Sequence, residues 1–154
     1  MYIWNIKELA QALKERRIAE QSKRTYFIVG IALLAIGVLT YPFLLVTERA
    51  NTLDIIDMMI YRMLNLIGLC AAYMINQSGD RQDFWLRCFS LFIPLTLRVI
   101  LIVFVLKLVG YAIPPSIFPP LLSDETNWFD LFVSIGTDLY FIGMMVKYFK
   151  VINR

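Results

Sequence analysis

The chain has 154 residues, 59% of them hydrophobic and 18% charged, with 15 basic and 12 acidic side chains and a mean hydropathy of +0.65. A soluble domain of this size has too much surface for its volume to hide so much apolar matter. Disorder, a disulfide scaffold and an ordinary soluble enzyme are excluded, and lipid is left as the solvent for the excess.

The sequence contains no His. That removes imidazole-ligated haem, His-containing zinc and iron sites, and Ser-His or Cys-His catalysis. The two cysteines, Cys70 and Cys88, form no Cys-x-x-Cys pair and are too few for structural zinc. The sequence therefore predicts no cofactor, no metal site and no catalytic residue. A net charge of +3 suits the flanks of membrane spans better than a nucleic-acid surface.

Residues 1–25 read as a cytoplasmic amphipathic helix. Ile3, Ile6, Leu9, Ala10, Leu13 and Ile18 recur at steps of three and four, and Lys7, Glu8, Lys14, Glu15, Arg16 and Glu20 occupy the other face. Two roles are open. The helix lies on the inner leaflet with Trp4 at the headgroups, or it docks a cytoplasmic partner or a second copy. Trp4, Ile6, Leu9, Leu13, Arg16 and Arg17 are the candidate contact residues. Nothing between Gln21 and Tyr26 breaks a helix, so this segment is expected to run on into the first span.

About 20 apolar residues are needed to cross about 30 Å of hydrocarbon. Four stretches qualify, at about 26–46, 54–75, 84–113 and 128–149, leaving 150–154 as a tail. The first has no charge. It is too long for the hydrophobic part of a signal peptide and lacks a cleavage site after it. The eight residues Asn76 to Asp83 join spans two and three around a Ser78-Gly79 turn. Phe84, Trp85 and Arg87 follow as interface anchors. Before the fourth span, Pro114, Pro115, Pro119 and Pro120 stiffen a loop that acts either as a rigid connection or as a lid, with Ser123 or Thr126 as a cap for the last helix.

Lys and Arg set the orientation. Lys7, Lys14, Arg16, Arg17, Lys23, Arg24, Arg81, Arg87, Lys147, Lys150 and Arg154 fall on one side of a four-span arrangement, against Arg49 on the other. Both termini are expected in the cytoplasm.

Ionisable residues at membrane depth cost about 2.5–3.5 kcal/mol or more and normally find partners inside a bundle. Here they are Asp57 and Arg62 in span two, Arg98 and Lys107 in span three, and Asp130 and Asp138 in span four. At about 1.5 Å per residue, Arg98 and Asp138 both fall near the midplane and are expected to pair. The other four fall in the outer third, two of each sign. With Asn65 they form the expected intramembrane polar network. Small and polar stripes mark the packing faces: Asp57, Tyr61, Asn65, Gly68, Ala72 and Asn76 in span two, Asp130, Ser134 and Asp138 in span four, and Gly30 with Gly37 and Gly136 with Gly143 seven apart. Pro94 should bend span three. The layers are either glue that fixes helix register or a path for an ion or proton. Their neutrality favours glue.

Other four-span builds fit poorly. Small multidrug transporters need a carboxylate in a first span that is uncharged here, and membrane disulfide-forming enzymes need paired cysteines. Asn76, Gly79-Asp80, Asp83-Phe84, Arg87, Pro94 and Arg98, over about 25 residues, resemble small bacterial four-span inner-membrane proteins of no common activity. The resemblance implies four spans in a bacterial inner membrane and carries no catalytic residue.

The expected fold is thus an all-α integral membrane four-helix bundle with an N-terminal cytoplasmic amphipathic helix. The expected function is non-enzymatic: a homo-oligomeric subunit that anchors, scaffolds or senses for a cytoplasmic protein through residues 1–24 and the 76–87 loop. Membrane components of bacterial stress and anti-phage systems share this general build. The alternative is a small channel, transporter or pore-forming effector with a path past Arg62, Asn65, Arg98 and Asp138.

Overall fold

The computed structural model describes residues 2, 4–45, 51–111 and 127–153. Among these, all regular structure is helical: α1 (Ile6–Lys14), α2 (Glu20–Leu45), α3 (Thr52–Ser78), α4 (Phe84–Tyr111) and α5 (Trp128–Ile152). Three stretches, Thr52–Ser78, Phe84–Val109 and Trp128–Ile152, are long and apolar enough to cross a membrane. The proline-rich loop before α5, with its lid, lies outside the described residues, and the cap of α5 is Asn127 in place of the expected Ser123 or Thr126.

Helix starts follow from side-chain caps. Asn51 opens α3 with a reciprocal capping box: its Oδ1 accepts from the Asp54 N–H at 2.9 Å, and the Asp54 carboxylate accepts from the Asn51 N–H at 2.7 Å. Asn127 caps α5 by accepting from the N–H groups of Phe129 and Asp130.

The expected continuous run from the N-terminal helix into the first span does not occur. α1 ends at Lys14. The Arg17 N–H then reaches back to the Ala12 carbonyl and the Arg16 N–H to that of Leu13, with Arg16 between them at φ 55°. This is the Schellman closure, normally built on glycine. It reverses the chain and lets Ile18, itself buried, turn back onto the core.

The helices pair in an order that is not their order in sequence. α2 packs on α4, α4 on α5, and α5 on α3, with α1 laid over α4 and α5. These principal contacts build a row, α2–α4–α5–α3, where the expected closed bundle would also join α2 to α3. Phe84 meets Phe149 and Phe92 meets Phe141, so α4 and α5 are antiparallel. Gly68 lies under Ile142 and Gly79 under Asn153, so α3 and α5 run the same way.

One end of the row, called here the near end, holds the α1–α2 and α3–α4 turns and the C-terminus of α5. The core sits in this half. Ile6, Leu9, Ala10 and Leu13 of α1 interlock with Cys88, Leu91 and Leu95 of α4 and with Met145, Tyr148, Phe149 and Ile152 of α5. Burial contributes about 2 kcal/mol for each large aliphatic side chain. In the far half the described helices turn most of their large apolar side chains outward, including Phe104, Leu108, Trp128 and Phe132.

Candidate functional site

The best-defined polar constellation lies at the near end, around Arg87. Its side chain is only 3% exposed. One terminal nitrogen donates to Asn76 Oδ1 at 2.8 Å, Asp80 Oδ1 at 2.6 Å and Asn153 Oδ1 at 3.1 Å. The other donates to Asp80 Oδ2 at 2.6 Å. The pairing with Asp80 is the two-pronged guanidinium–carboxylate arrangement that couples charge to direction. Arg16 approaches the same carboxylate at 3.9 Å from the α1–α2 turn. One guanidinium thus joins α3, the α3–α4 turn, the start of α4 and the end of α5, and its counter-ion reaches α1.

The backbone is shaped around this contact. Gly79 lies so close to Asn153 that any Cβ would fall on that side chain. Arg81 and Asp83 both take the left-handed conformation, at φ 60° and 45°. Asp80 accepts from the Gln82 N–H as well as from Arg87. The hydrogen bond from Arg87 is the main cause that holds its carboxyl below the ordinary range, with the nearby Arg16 charge adding to it. The stretch Asn76, Asp80 and Arg87, predicted as a cytoplasmic loop and an interface anchor, is therefore a latch that closes the exposed Asp80 carboxylate onto a buried guanidinium. Only Asn153, 66 residues from Arg87, carried no signal in the sequence.

The N-terminal contact residues divide. Ile6, Leu9 and Leu13 are at most 6% exposed, so the protein's own core occupies them. As a face for a membrane or partner, the expectation is corrected to the outer side of α1. There Trp4 is 63% exposed, and Lys7, Glu8, Lys14, Arg16 and Arg17 are exposed too. Arg17 pairs with Glu15.

The described contacts of the expected intramembrane residues lie in different places. Lys107 pairs with Asp130 at 3.6 Å across α4 and α5. Asn65 turns back onto its own helix, donating to the Tyr61 carbonyl at 2.8 Å. Arg62 is exposed on α3. The expected Arg98–Asp138 ion pair is absent among the described residues. Arg98 follows Cys88, Leu91 and Leu95 on the α4 face covered by α1, and donates to the Trp4 carbonyl at 2.6 Å. Asp138 precedes Ile142 by one turn on the α5 face that meets α3. The depths agree and the directions do not. Asp57 approaches Asp138 from α3. Each of these carboxylates has one oxygen buried with no hydrogen-bond partner.

The small residues also divide. Gly68 lies close under Ile142, as expected of a packing position, whereas a Cβ at Gly136 or Gly143 would meet open space among the described residues.

The chain matches no protein-family profile, no curated protein and no solved structure.

Proposed function

We propose that this is a multi-pass membrane protein with α2–α5 as four spans and both termini on the cytoplasmic side of a bacterial inner membrane, acting as a non-enzymatic subunit that presents its near end to a cytoplasmic protein. Three helices have spanning length and composition. Residues 26–45 of α2 contain no Asp, Glu, Lys or Arg. The near end holds Lys14, Arg16, Arg17, Lys23, Arg24 and Arg81, as an inner flank should.

The observation that carries the reading is the Arg87 latch. It spends a buried guanidinium on fixing the α3–α4 turn, the α1–α2 turn and the α5 terminus relative to one another. That gives a docking surface fixed geometry and needs no reacting group.

A photo-reactive side chain at Arg17 or Arg81 in the membrane-embedded chain should capture one discrete cytoplasmic protein, and Arg87→Ala should abolish the capture. Capture of lipid alone would remove the scaffold reading. The buried, unpartnered oxygens of Asp57 and Asp138 favour a second reading, a proton or cation path between α3 and α5. Flux through reconstituted vesicles that Asp138→Asn abolishes would establish it in place of the first.

A further inference from the structure

The seam between α4 and α5 is filled by α1 in its near half. Its far half holds an open cavity of about 360 Å³, lined by Ile102 and Leu106 of α4 and by Phe129, Phe132, Val133 and Gly136 of α5. That volume falls in the range of about 300–1,000 Å³ typical of ligand sites. Thr137 and Tyr140 complete the lining, and the Thr137 hydroxyl is spent on the Val133 and Ser134 carbonyls of its own helix, so the walls are mainly hydrocarbon. The floor is open at Gly136, where a Cβ would meet no atom within 4 Å.

Three features describe what fits. The lining extends along α5 from Phe129 to Tyr140, about 16 Å at 1.5 Å per residue, or about half of a 30 Å hydrocarbon core. Trp128, 64% exposed, stands beside Phe129 at the far end of the groove, where an indole marks the headgroup level. Lys107 follows Leu106 at the same end. Its side chain is 51% exposed, and its contact with Asp130 at 3.6 Å leaves ammonium donors available. A groove one leaflet deep, of hydrocarbon below and a cation above, has the shape and charge order of a phospholipid.

We propose that this groove is a phospholipid site, with one acyl chain lying over Gly136 and the phosphate held by Lys107. The site rests on the proposed placement of α4 and α5 in a bilayer. It does not depend on the scaffold role.

The test uses the full chain extracted in mild detergent from membranes, after alkaline washing has established that it is integral. A chain released by that washing removes the bilayer placement, and the site with it. Native mass spectrometry with added phosphatidylglycerol should show one lipid retained per chain. Gly136→Phe fills open space, so the protein should fold normally and lose that lipid by at least tenfold. Lys107→Gln should weaken retention by about fivefold, the worth of one cation near an anionic headgroup. Equal retention by the integral wild type and both variants overturns the site. So does a wild-type dimer that Gly136→Phe splits, because the groove would then hold a second copy.

Discussion

The two halves of the molecule use the same helices differently. In the near half, α4 and α5 receive α1, both prongs of the Arg87–Asp80 pair close at 2.6 Å, and Leu9, Leu91, Leu95 and Phe149 are wholly buried. In the far half the same two helices enclose an open apolar cavity, and Lys107 and Asp130 meet only at 3.6 Å. Burial and the closeness of the ion pair rise together because both need a third element, although Asn76 Nδ2 and Ser90 Oγ stay buried there without a hydrogen-bond partner. Two helices alone leave a groove, and a third that fills it also excludes the water that would weaken an ion pair. α1 is that element, and it covers only half the seam.

The comparison breaks most readily at Arg87. Arg87→Ala removes the donor shared by Asn76, Asn153 and Asp80, of which only Asp80 keeps another in the Gln82 N–H, and should cost about 3–5 kcal/mol, read by denaturant unfolding in micelles. The lower part of that range is expected, since Asp80 keeps 35% of its side chain exposed. Leu9→Ala opens a cavity under α1 and should cost about 3 kcal/mol. It should also speed proteolysis between Glu15 and Ala19, where the chain reverses. Gly79→Ala forces Asn153 aside and should cost about 1–2 kcal/mol, as overpacking does. Lys107→Gln, at an exposed and loose pair, should change stability by less than about 1 kcal/mol.

Between pH 8 and 5 the latch should not change at all. The Asp80 carboxyl is held below its ordinary value, so its contribution is present above the unfolded value of about 3.9 and fades only as pH falls through the lower folded one. Loss of the near-half core near pH 6 would show that another group controls it.

The approximate extents of the long helices were legible because apolar length needs no tertiary information. The capping box at Asn51-x-x-Asp54 was legible in principle, and the start of α3 was still placed at Asp54, inside its own cap. The reversal at Arg16 was not legible: the closure normally advertises itself with glycine, and an arginine there carries no mark. The Arg98–Asp138 pairing failed for a different reason. Rise per residue gives depth along a helix, whereas partnership also needs the direction in which each side chain leaves its helix. That direction depended on α1 entering the α4 groove. Arg87 at a span end reads by default as a surface anchor, and its burial is decided by Gly79, whose missing side chain lets the α5 terminus close over it.

The row α2–α4–α5–α3 has a consequence for how the chain is made. The principal neighbour of α2 and of α3 is in each case separated from it in sequence by one other helix, so α2 leaves the ribosome before α4, and α3 before α5. Each must wait with its packing face uncovered. α1 needs α4 and α5 together, and so it is made before all four of the helices in the row and finds its place after them.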